Sequence, residues 1–158
     1  MQQCPLNSIL VIDEMPLIAP GLREVFRAIH PAVTVDHIEN IYTALSAPNL
    51  AEKTFDLIIL GSWPEESSND IYPSLPGLKE KFGNSRLMIY STRYDYTLLE
   101  RMQPLGIDAY IHKWEAIDEV IKGYERLSAG LPYISRILHT LFYDFQLNNS
   151  SNSSLKEG

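Results

Sequence analysis

Phe55-Asp56-Leu57-Ile58-Ile59-Leu60-Gly61-Ser62-Trp63-Pro64 is the stretch that decides the fold. Four consecutive large aliphatics bounded by polar residues fit a strand buried on both faces, as in the middle of a parallel sheet covered by helices. Ligands and chemistry gather at the carboxyl ends of such strands. Gly61 stands at that end and offers no side chain to the crevice.

Similar runs recur on both sides. Ser8-Ile9-Leu10-Val11-Ile12 reads as a first strand ending in the acidic pair Asp13-Glu14. Pro16 suits the first turn of a helix in which Leu17, Ile18, Leu22, Val25, Phe26 and Ile29 form an apolar stripe up to His30-Pro31. Val33 to Ile38 reads as a second strand, and Tyr42 to Lys53 as a helix that Pro48 shortens. After the organising strand, Pro64, Pro73 and Pro76 predict a long loop, with a short helix only over Gly77 to Phe82. Arg86 to Tyr90 is a fourth run ending at Ser91-Thr92, and a helix carrying Leu98, Leu99 and Met102 follows, closed by Pro104-Leu105-Gly106. Ala109 to His112 is a fifth strand ending at Lys113, and Glu115 to Ala129 a fifth helix. Five strand-helix repeats predict an α/β fold with a doubly wound parallel sheet, and the flavodoxin-like order 2-1-3-4-5 is expected by analogy with other sheets of this size.

Composition narrows the function. The 158 residues suffice for one domain with a real core, and 45% hydrophobic with 21% charged residues describes an ordinary globular chain. A net charge of −7 argues against a nucleic-acid surface on this chain, because phosphate binding needs clustered Lys and Arg. Cys4 is the one cysteine, which excludes an internal disulfide and a cysteine metal site and fits a reducing compartment. His30, His37, His112 and His139 fall on different elements and suggest no metal site. No apolar run approaches the length of a membrane span, and the amino terminus lacks the pattern of a signal peptide, so a cytoplasmic protein without a membrane partner is expected.

Two segments follow the repeats, which fill residues 1–131. Pro132 to Leu147 predicts a sixth amphipathic helix with Ile134, Leu138, Leu141, Phe142 and Phe145 along one face, an association stripe suited to a homodimer or to packing on its own domain. Residues 148–158, rich in Asn and Ser, read as a flexible linker or tail before an effector domain.

The strand ends resemble a known family. Ile9-Leu10-Val11-Ile12-Asp13-Glu14-Met15-Pro16-Leu17, Asp56-Leu57-Ile58-Ile59-Leu60, Met88-Ile89-Tyr90-Ser91 and Gly106-Ile107-Asp108-Ala109-Tyr110-Ile111-His112-Lys113 together resemble the receiver domain of bacterial two-component response regulators. Trp114, where other receivers carry proline after the lysine, points to the NarL/FixJ-like group with a LuxR-type helix-turn-helix. The resemblance covers about Ser8 to Ser135. It implies that Asp13 and Glu14 match the Mg²⁺-holding acidic pair, Ser91 the hydroxyl that reports phosphorylation, Tyr110 the aromatic switch and Lys113 the lysine that neutralises the phosphoryl group.

The phospho-acceptor aspartate of that family falls on Gly61. Aspartyl phosphorylation uses the carboxylate as nucleophile, and glycine has no atom with which to attack. Ser62 is adjacent, but on an alternating strand its side chain is expected on the opposite face, with no base beside it. One ligand fewer leaves at most weak Mg²⁺ binding through Asp13 and Glu14, and no cofactor is expected. Plainer readings stand beside these. Asp13-Glu14 also reads as a solvated turn, Ser91 and Tyr110 as residues that merely end strands, and Gly61 as a close-packing position.

The resemblance therefore implies a non-enzymatic, phosphorylation-independent pseudo-receiver in two-component signal transduction. It would control transcription through a DNA-binding domain beyond this chain and answer to a partner protein or histidine kinase. The alternatives are a stand-alone protein-interaction module and a flavodoxin-like ligand-binding domain. Against the last, acids after the first strand would repel the phosphate that such a loop cradles.

Overall fold

A computed structural model describes residues 5–50, 52–62 and 74–154. Within them the chain runs β1 (Ser8–Ile12), α1 (Ile18–Ile29), β2 (Thr34–Ile38), α2 (Ile41–Ser46), β3 (Leu57–Leu60), α3 (Leu75–Lys81), β4 (Arg86–Ser91), α4 (Tyr96–Glu100), α5 (Met102–Leu105), β5 (Ala109–His112), α6 (Ile117–Ser128), β6 (Tyr133–Ile134) and α7 (Arg136–Ser154). Cys4, Trp63 and the loop expected from Pro64 to Pro73 lie outside the described residues.

All strands are parallel and lie in the order β2-β1-β3-β4-β5-β6. This is the flavodoxin-like arrangement with one strand added at the edge. Side chains alternate across the strands, so each aliphatic run feeds two cores. Ile9, Val11, Leu57, Ile59, Met88 and Ile111 meet Leu22 and Phe26 of α1 and Val120, Tyr124 and Leu127 of α6. Leu10, Ile12, Ile58, Leu60, Leu87, Ile89 and Tyr110 meet Ile41, Leu75, Leu78, Leu98 and Leu99 on the other face.

Local chemistry trims the helices. The Asn40 side chain accepts the Thr43 N–H at the start of α2, and Lys81 Nζ donates to the carbonyls of Ala44, Leu45 and Ala47 at its end. Pro48 then opens a single 3-10 turn. The helix expected after β4 is broken at Arg101 into α4 and α5, because Pro104 has no N–H to give the Glu100 carbonyl.

The carboxyl-terminal segment departs most from expectation. The sheet extends past residue 131: Ile134 lies on β6, paired to Tyr110 of β5, and the helix starts at Arg136 and not at Pro132. A two-residue strand carries no periodicity to read. Of the two expectations for the stripe, packing on its own domain is the one found, and the stripe is not free as an association surface. Leu138 is fully buried, Ile134 and Phe142 pack on the same core, Leu141 is half-buried, and the Phe145 ring stacks on Tyr96 at 4.3 Å. Helix α7 also continues through Ser154, across much of the stretch expected to be a flexible linker.

Candidate functional site: the carboxyl ends of β1, β3 and β5

Strand register brings the site residues level. Ile12 pairs with Leu60, so Asp13 and Gly61 leave adjacent strands side by side, and the Gly61 N–H donates to the Ile12 carbonyl at 2.8 Å. Ser91 pairs with His112, and the Lys113 N–H donates to the Ser91 carbonyl at 2.9 Å, which aims the lysine across β4 toward the same crevice.

There Lys113 Nζ donates to Asp13 Oδ2 at 2.5 Å and to the Gly61 carbonyl at 3.0 Å. The pair is sealed, with side-chain exposures of 7% for Lys113 and 0% for Asp13. Asp13 Oδ1 accepts the Met15 N–H at 2.8 Å, and the Asp13 carbonyl contacts His37 Nε2 at 2.8 Å. The Tyr90 ring lies 5.7 Å from the lysine amine. Burial, and then the Asp13 charge, push the Tyr90 phenol above its ordinary range.

Gly61 is what admits this arrangement. A Cβ built there would overlap Asp13 Oδ2 and lie 2.8 Å from Asp13 Cγ. The aspartate carboxylate thus fills the volume that a side chain at 61 would take.

Glu14 does not join the pair. It is exposed, and its N–H donates to Ser62 Oγ at 2.8 Å. That bond also places the Ser62 hydroxyl on the β1–α1 loop, a detail that strand alternation alone did not anticipate. Its oxygen accepts a main-chain proton there, and among the described residues no base contacts it.

Ser91 and Tyr110 converge on the loop after β4. Ser91 Oγ accepts the Arg93 N–H at 3.1 Å. Tyr110, fully buried, donates its hydroxyl proton to the Arg93 carbonyl at 2.6 Å and accepts the Asp95 N–H at 3.3 Å. His112, which no sequence signal singled out, ties the same loop to β5. Its Nε2 contacts the Thr92 carbonyl at 2.9 Å, its Nδ1 accepts the Trp114 N–H at 3.2 Å, and its ring stacks on Tyr94 at 4.2 Å.

The Mg²⁺ implied by the acidic pair does not fit these residues. A divalent ion of that size needs several oxygens at about 2.0–2.1 Å in near-octahedral array. Asp13 Oδ2 and the Gly61 carbonyl are both taken by the lysine, Asp13 Oδ1 is taken by a main-chain N–H, and Glu14 faces solvent. Among the described residues, no group of three or more His, Cys, Asp or Glu is placed to hold a metal. Among them, too, no helix is long and apolar enough to cross a membrane.

No protein-family model matches the sequence, and no curated protein matches it. Solved structures do. The RcsB response regulator of Salmonella typhimurium aligns at 19% identity and a TM-score of 0.73 over 89% of this chain and 66% of that one. The isolated REC domain of RcsB from Salmonella enterica serovar Typhimurium aligns at 19% identity and a TM-score of 0.72, covering 87% and 98%. A LuxR family DNA-binding response regulator from Silicibacter pomeroyi aligns at 22% identity and a TM-score of 0.69, covering 83% and 98%. The chain has the fold of these receiver domains and spans about two thirds of the longer RcsB chain.

Proposed function

We propose that this chain is a pseudo-receiver, a cytoplasmic, non-enzymatic signalling domain of the NarL/FixJ-like group that works without aspartyl phosphorylation. One observation carries the reading: at the end of β3, where the resemblance implies a phospho-acceptor, Gly61 has no side chain and the Asp13–Lys113 pair closes over its place. In a receiver, new phosphoryl charge biases a bistable face through the hydroxyl and the aromatic ring. Here Lys113 already has an anion, and Ser91 and Tyr110 hold the loop after β4 in one arrangement.

What remains to move such a domain is differential affinity, from a partner protein or a second copy that binds one arrangement better than another. RcsB is known as two dimers bound to two parallel DNAs. By analogy, this chain acts as a homodimer joined to a LuxR-type DNA-binding domain and controls transcription. The α7 stripe is turned inward, so its dimer uses another surface.

The test is incubation with acetyl phosphate and Mg²⁺ followed by intact-mass measurement. No mass gain is expected at the crevice. A phosphoryl adduct mapped to Ser62, Asp13 or any neighbouring residue overturns the reading.

A further inference from the structure

We infer that the Lys113 ammonium is the resident cation of this crevice, a tethered ion that stands where a divalent metal would stand and keeps metal out. The inference deepens the pseudo-receiver reading and rests on it for the identity of the crevice, while its test reads metal binding and not phosphorylation.

The ligands of the ammonium are a buried carboxylate oxygen, Asp13 Oδ2, and a main-chain carbonyl oxygen, that of Gly61. Both are the hard oxygen donors that Mg²⁺ prefers. The lysine reaches them from β5, two strands away from β3, and its side chain is 7% exposed, so it is seated in the pocket and does not merely lie over it. Charge balance favours the seat. One buried carboxylate faces one enclosed ammonium, so the two formal charges offset one another inside the crevice. A divalent ion entering beside them would repel the ammonium and strip the carboxylate of its existing partner. Among the described residues it would gain the carboxylate of Glu14 in exchange, an exposed side chain that would have to turn inward. Gly61 completes the device. Without a side chain there, Asp13 can occupy the space next to the lysine, and a second carboxylate, which would demand a second positive charge, is missing.

Removal of the ammonium should therefore turn the crevice into a metal site. The experiment compares the full chain with Lys113→Met in metal-free buffer and in millimolar Mn²⁺ or Mg²⁺, reading the melting temperature and the free Mn²⁺ signal by electron paramagnetic resonance. The natural chain should show no metal-dependent change in either. Lys113→Met should melt lower without metal and recover by roughly 5 °C in saturating Mn²⁺, and adding Asp13→Asn should abolish the response. If Lys113→Met fails to fold without metal, recovery of its circular dichroism on adding Mn²⁺ is the equivalent readout. Mn²⁺ binding by the natural chain that Asp13→Asn removes would overturn the inference, as would a Lys113→Met chain that gains neither stability nor structure from metal. Failure of the pseudo-receiver reading would instead appear as a phosphoryl adduct, whichever way the metal experiment turns out.

Discussion

Two buried carboxylates, Asp13 after β1 and Glu119 on α6, are stabilised in contrasting ways. Asp13 faces a lysine that is itself enclosed, its carboxylate accepts the Met15 N–H, and its main-chain carbonyl meets the His37 ring. Glu119 Oε2 accepts the Tyr133 hydroxyl at 2.5 Å and the Arg136 N–H at 3.0 Å, and its other oxygen meets Lys122 at 3.3 Å, whose side chain is 58% exposed. Beside it, Glu115 Oε1 accepts the Ile137 N–H at 2.7 Å. One carboxylate closes a crevice by charge. The other, with Glu115, satisfies orphan N–H groups at the start of α7 and fastens β6 and α7 to the domain. A sealed ion pair is costly to disturb from either side, whereas neutral donors with one solvated cation make an attachment that can be weakened in steps.

The sharpest way to break the contrast is Lys113→Met, which leaves the buried Asp13 carboxylate without its cationic partner. A loss of about 3–5 kcal/mol in urea unfolding is expected, and pairing it with Asp13→Leu should return most of that loss. A single-variant loss no larger than that of an exposed ion pair would show that water reaches the crevice.

Next in size is Gly61→Ala. Its methyl group would overlap the Asp13 carboxylate, so the aspartate must turn away from Lys113 or the strands must shift. The expected cost is about 1–3 kcal/mol, and in the Lys113→Met background it should shrink, because the carboxylate is then free to turn. Equal costs in both backgrounds would uncouple the glycine from the pair.

The smallest effect belongs to Glu119 and is a pH dependence. Burial opposes its ionisation, but the bonds from Tyr133, the Arg136 N–H and Lys122 together outweigh that and hold its carboxyl below the ordinary glutamate range. The Tyr133 phenol is pushed upward, first by burial and then by its bond to Glu119. For an acid whose folded value is depressed, the stabilisation is full above the unfolded value and disappears as pH falls through the folded one. The attachment of α7 should thus weaken as pH drops through and below the glutamate range. Glu119→Gln should cost about 1–2 kcal/mol at neutral pH and flatten the acid limb of a melting-temperature profile. An unchanged acid limb would assign that limb to other carboxylates.

Much of this was legible in the sequence wherever a pattern repeats. Five short apolar segments place β1 to β5, and the residues at or just past their ends place Asp13, Gly61, Ser91 and Lys113 at one end of the sheet because parallel strands all finish there. The partner of the apolar stripe was not legible. Leu138 and Phe145 announce burial, but that Tyr96 receives Phe145 depends on a helix broken at Arg101 and on β6 fixing where α7 begins. Composition was equally silent about the end of α7. There Ser150, Ser151 and Ser153 hydroxyls donate to the carbonyls of Gln146, Leu147 and Asn149 one turn earlier, an arrangement that polar composition neither requires nor forbids. Glu14 shows the limit of adjacency, since consecutive residues leaving a strand turn to different sides and only Asp13 meets the lysine.

The two residues of β6 also cover the outer edge of β5. Every residue of β5 is buried, so a domain cut at residue 131 would end its sheet on a bare apolar ribbon with a free row of amide and carbonyl groups, a template for stacking one molecule on the next. Tyr133 and Ile134 occupy that margin, and Pro132 beside them has no amide proton to offer a newcomer. The strand is too short to recruit another strand and long enough to hide the one beneath it. Its contribution is thus colloidal as much as architectural, a guard against self-templated aggregation at the β5 edge of the sheet, opposite β2.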